Sequence, residues 1–103
     1  MVIDKYNYKE FPTSGILRIP KKFQIELGFH IERRVDIAYQ EDVIFIRREN
    51  AQSSHNKRLI SKNGYLKIPK EIIEIANITL QDQYCLFMDL PNKQLIVKFK
   101  KSK

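Results

Sequence analysis

The chain has 103 residues and a mass of 12.3 kDa, which allows one compact domain or two very small ones and excludes a multidomain enzyme. Apolar residues make up 43% and charged residues 30%, so the chain is not intrinsically disordered, and no apolar run approaches the roughly 20 residues of a membrane span. The net charge of +7 and isoelectric point near 9.6 point toward an anionic partner.

The charge is uneven. Residues 1–50 hold 9 Lys/Arg against 8 Asp/Glu, or +1; residues 51–103 hold 10 against 4, or +6. The start of the chain, Met1 to Tyr6, has neither the basic start nor the apolar core of a signal peptide. The single cysteine, Cys85, permits no intramolecular disulfide and no cysteine-based zinc site, so a reducing cytoplasm is expected.

In chain order, a first strand is expected to end at Phe11, with a turn at Ser14-Gly15 and a second strand over 16–19. Pro20 is placed in the first turn of a helix that Gly28 terminates. Strands over 34–39 and 43–48 then close a hairpin across Gln40-Glu41-Asp42. The polar stretch from Asn50 to Asn56 has no periodicity and reads as a linker, assigned to 51–56, with His55 solvated in it. The same grammar follows. A short strand covers 58–61. Asn63-Gly64 signals a tight hairpin with positive φ at both turn positions. A strand over 65–68 leads to Pro69, a helix with Glu71 in its first turn, and a stop at Asn77. Strands over 83–88 and 94–100 flank a turn at 89–93.

The recurrence is a sequence repeat. Gly15-Ile16-Leu17-Arg18-Ile19-Pro20-Lys21 and Gly64-Tyr65-Leu66-Lys67-Ile68-Pro69-Lys70 are offset by 49 residues and identical at five of seven positions. Phe23 matches Ile72, Phe29 matches Ile78, Ile31 matches Leu80 and Ile37 matches Leu86. Two ββαββ units result, residues 1–50 and 57–103. A unit of this size cannot bury enough surface alone, so the two are expected to bury their apolar faces against each other in one pseudo-twofold β-barrel.

The Gly-x-Leu-x-Ile-Pro-Lys element between a hairpin and a short helix, followed by Leu27-Gly28 and a closing hairpin, resembles the AbrB/MazE/SpoVT swapped-hairpin family. The likeness covers nearly the whole chain, twice. It implies a mainly β (α+β) fold in which two units interleave their hairpins into a barrel. It also implies a DNA-binding transcription regulator of the prokaryotic cytoplasm and nucleoid. Most such proteins supply one unit per chain, and MraZ-type proteins supply two. The MraZ acidic-x-x-x-Arg signature is absent after Asp36 and after Asp82.

The resemblance implies duplex DNA contacts from Lys9, Thr13, Ser14 and Arg18 in the first repeat, and from Lys57, Arg58, Lys62, Asn63 and Lys67 in the second. DNA binding needs cations that meet phosphates and side chains that reach base edges. Arg18 suits a bidentate guanine contact, Lys67 is its repeat partner as a point charge, and Asn63 suits either adenine or its turn. Family helices often carry arginines three to five residues after the proline. Here those positions are Phe23, Gln24, Ile25 and Ile72, Ile73, Glu74, none of them basic. The second repeat, with most of the charge, is expected to dominate affinity.

Other features read as structural. Arg33-Arg34 and Arg47-Arg48 suit surface ion pairs with Glu32, Asp36, Glu41 and Glu49. The basic end 98–103 suits a solvated strand terminus, His30 a surface or half-buried site, and Cys85 a buried strand. No nucleophile–base pair, metal spacing or phosphate-binding glycine loop is present, so neither enzyme activity nor a cofactor is expected. Two rival readings are an antitoxin-like protein that binds a toxin and a homo-oligomeric interaction module. The few residues after the last expected strand are too short for a toxin-holding tail.

Overall fold

A computed structural model of the chain describes residues 2–5, 9–30, 34–48, 56–79 and 82–100. The order is β1 (Val2–Lys5), β2 (Lys9–Glu10), β3 (Ile16–Arg18), α1 (Lys21–Leu27), β4 (Arg34–Gln40) and β5 (Val43–Arg48). It continues with β6 (Asn56–Leu59), β7 (Tyr65–Lys67), α2 (Lys70–Ala76), β8 (Gln83–Asp89) and β9 (Gln94–Lys100). The fold is mainly β, with two helices and a curled antiparallel sheet. Strand β1 was not foreseen, and Asn56 opens β6 rather than closing a linker. The rest of the expected linker, His55 included, lies outside the described residues, as do Ile31, Glu32, Arg33, Glu49, Leu80 and 101–103. No helix among the described residues is long and apolar enough to cross a membrane.

Two hairpins form the centre of the sheet. In β4–β5 the strands join through Glu41 and Asp42, both at positive φ (52° and 66°), as a tight two-residue turn requires. The Tyr39 hydroxyl donates to Asp42 at 3.0 Å across this turn. In β8–β9 the turn is four residues, Leu90 to Lys93, so the repeat offset grows from 49 to 51 beyond it. There the Asp89 carboxylate accepts from Asn92 and Gln94, both at 2.8 Å. The Asn92 bond, with that of Gln94, holds Asp89 below the usual carboxylate value against the opposing effect of burial.

The strand pairings exchange the repeats. The first strand of the second repeat, β6, pairs with β4 of the first, with Leu59 opposite Arg34. Reciprocally, β2 pairs with β8, with Glu10 opposite Gln83. These two pairs are the same pair moved by 49 residues. The hairpins meet through β5–β9, where Phe45 lies opposite its own counterpart Ile96. A separate two-stranded ribbon, β3–β7, sets Leu17 opposite Leu66, again counterparts.

Side chains complete the exchange. The backbone N–H of Ile19 donates to Gly64 O at 2.8 Å, and that of Ile68 donates to Gly15 O at 2.9 Å. Phe11 of the first repeat packs edge-on against Tyr84 and tilted against Phe99 of the second. Helix α1 sits on β9 and α2 on β4, so each helix packs on the other repeat's hairpin. Phe23, Leu27, Ile72 and Ala76 bury the inner face of the helices in one core shared by both repeats. Cys85 is buried.

The helices are seven residues long, too short to persist without this packing. Each proline precedes the helix at the N-cap in an extended conformation, not within the first turn, because its fixed φ suits the strand–helix junction equally well. Gly28 (φ 79°) and Asn77 (φ 56°) close the helices left-handed, and Phe29 N–H and Ile78 N–H reach back to Gln24 O and Ile73 O.

The Asn63-Gly64 turn corrects the sequence reading: Gly64 alone is left-handed (φ 88°). Gly64 N–H donates to Ser61 O and Ser61 N–H to Tyr65 O, which makes a three-residue turn closed by a left-handed glycine. The Ser61 hydroxyl accepts from Tyr65 N–H and competes successfully with the two-residue alternative.

A Cβ on Gly64 would lie 2.9 Å from the carbonyl oxygen of Ile19, which cannot swing away, whereas one on Gly28 would meet only the flexible Arg48 side chain at 3.4 Å. Both glycines are left-handed, a cost of about 1–2 kcal/mol for alanine. Gly28→Ala is therefore expected to lose about that much stability in urea denaturation, and Gly64→Ala clearly more. Equal losses would show that the turn is not clamped against the first repeat.

Candidate nucleic-acid interface

The ribbon β3–β7 is two-faced because strand side chains alternate. Leu17 and Leu66 point into the core, while Ile16, Arg18, Tyr65 and Lys67 face outward. Arg18 lies opposite Tyr65, and Lys67 opposite Ile16. Each half of this face thus pairs one cation with one half-exposed apolar or aromatic side chain.

The exchange of strands brings the second repeat's turn beside the first repeat's helix. A groove of ≈ 550 Å³ opens there, lined among others by Arg18, Lys21, Gln24, Lys62, Asn63 and Tyr65. His30 and the exposed Ile25 complete its wall. None of its lining residues is acidic. Among the described residues the side chains of Arg18, Lys21 and Lys62 make no ion pair and no hydrogen bond. The Gln24 amide is fixed against the floor, where its nitrogen donates to Ile19 O at 2.8 Å.

The nine residues named from sequence separate into three groups. Arg18, Lys62 and Asn63 converge on the groove although they come from different repeats. Thr13, Ser14 and Lys67 form the repeat-related set: the Lys67 ammonium donates to Ser14 O at 3.0 Å, and the Ser14 hydroxyl accepts from Ile16 N–H. Lys9, Lys57 and Arg58 sit on the sheet strands β2 and β6, outside the groove.

Lys57 has a structural use. Its ammonium is 2.7 Å from the Asp36 carboxylate, and Asp36 is 4% exposed. Asp36 thus finds a cation on β6, the strand that pairs with β4. Arg58 donates to Lys57 O at 2.8 Å, and the Arg47 guanidinium lies over the Phe45 ring. Sequence reasoning missed Lys21, Gln24, His30 and Tyr65 as groove residues. Lys21 was within reach, since it closes the repeated heptad; the others are not shared between the repeats.

No family model, no curated protein and no solved structure matches this chain. Among the described residues no three His, Cys, Asp or Glu side chains converge as a metal site.

Removing one partner of a buried pair leaves a charge without compensation, a loss of about 3–5 kcal/mol when both are buried. Lys57 keeps 25% of its side-chain exposure, so Lys57→Met is expected to lose less, about 1–3 kcal/mol. Adding Asp36→Ala should restore part of it, because the repeat counterpart, Cys85, is buried there without charge. Urea denaturation of the single and double variants checks this; a double variant no more stable than Lys57→Met would remove the pair from the account.

Proposed function

We propose that this chain is a DNA-binding regulator of the AbrB-like kind, with its two repeats interleaved as an intramolecular swapped-hairpin barrel. The observation that carries the DNA reading is the groove that unites Arg18, Lys21 and Lys62 with no acid among its lining residues. Cations left without protein partners meet phosphates and release their counterions, which drives association. The Arg18 guanidinium is also able to fork onto a guanine edge, and the Asn63 amide beside it onto adenine. The reciprocal pairing of β6 with β4 and of β2 with β8 supports the swapped-hairpin reading. A protein of this kind works on the chromosome in a prokaryotic cytoplasm.

The test is fluorescence anisotropy of a labelled AT-rich, mixed-sequence duplex from about 50 to 200 mM salt. With Arg18, Lys21 and Lys62 on phosphates, log affinity should fall against log salt with a slope of about −3. Lys62→Ala should reduce that slope by about 1, and Arg18→Ala should cost about 1–3 kcal/mol on the preferred sequence. No binding at the lowest salt would overturn the proposal.

A further inference from the structure

We infer that the two repeat-related faces of the ribbon are unequal, and that the chain anchors a phosphodiester in the Arg18–Lys21–Lys62 groove and not on the face of Lys67. The inference deepens the proposed function and rests on it only for the nature of the anion. It also reverses the expectation that the second repeat dominates, since the anchoring groove takes residues from both.

Arg18 and Lys21 correspond to Lys67 and Lys70, while Lys62 corresponds to Thr13. Ile25 corresponds to Glu74, which is exposed. The groove therefore gathers three cations and no acid, for +3, and the related face two cations and one acid, for +1. Coulomb attraction for a phosphate scales with that sum, and the apolar and aromatic walls of a concave site strengthen it.

Local bonding widens the difference. The Lys67 ammonium already donates to Ser14 O at 3.0 Å, so a phosphate must compete for it. Arg18 makes no such bond among the described residues. Gln24, an amide with a second N–H to offer, is replaced by Ile73, whose Cδ1 would lie 3.1 Å from a Cβ on Gly15. That face is thus packed with methyl groups where the groove presents a donor. His30, which lines the groove, corresponds to Thr79, whose N–H is already taken by the Asp82 carboxylate at 2.9 Å. Each difference weakens anion binding on the same side.

Two charge-neutral variants separate the faces, Arg18→Gln/Lys62→Gln and Lys67→Gln/Lys70→Gln. All four side chains are exposed, so folding is retained. On the duplex, the first variant should lose roughly tenfold or more in affinity and about 2 in salt slope, and the second less than about threefold. Equal losses, or a larger loss for the second variant, would overturn the inference while leaving DNA binding intact. Inorganic pyrophosphate is the independent probe. In ¹H–¹⁵N spectra it should shift the amides of Lys62, Asn63 and His30 and leave Thr13, Ser14 and Thr79 in place. That pattern without duplex binding would support the groove and overturn the DNA reading. Shifts on both faces, or on neither, would overturn the groove.

Discussion

The structure depends on one reciprocal contact: β3 and β7, three residues each, pair with each other across the repeat boundary. Neither strand joins the main sheet, so without this partner its backbone groups would go unpaired. Leu17 and Leu66 bury the inner face of the ribbon, and the Ile19–Gly64 and Ile68–Gly15 hydrogen bonds clamp each turn to the other repeat. The remaining exchange follows. Once the turns are crossed, β6 must reach β4 and β2 must reach β8, and each helix lands on the opposite hairpin. The core is consequently common property, and neither repeat owns one of its own.

The same crossing builds the groove. Lys62 stands more than forty residues from Arg18 along the chain, yet both line one concavity because the second turn abuts the first helix. A tally of charge by halves of the sequence assigns the basic field to the second repeat. In space the field gathers at the groove, which draws two cations from the less charged half. The helices add a cation only at their start: Ile25 and Glu74 face outward at positions where members of the resembled family often carry arginines.

Side chains of similar type serve different ends according to what lies underneath. Lys57 and Lys62 are close in sequence. Lys57 lies over a buried carboxylate and neutralises it, since a desolvated charge without a partner is costly. Lys62 sits at a turn tip over no acid and remains available. Asp36 and Cys85 are repeat counterparts, and only the first repeat needed a cation at that point.

Much of the architecture was legible in the residues themselves. The repeated heptad, the prolines and the left-handed residues Gly15, Gly28, Gly64 and Asn77 marked two ββαββ units, because φ preferences and hydrophobic alternation are local. Turn type was less legible: Asn63-Gly64 promised two left-handed residues, and a hydrogen bond from Tyr65 N–H to the Ser61 hydroxyl altered the count. Strand β1 left no local signal, since its pairing with β8 supplies its order. Tertiary structure alone decided which residues meet. The partner of Asp36, the composition of the groove and the inequality of its two faces all depend on pairings between strands distant in sequence. A chain carries no local record of those distances until it folds.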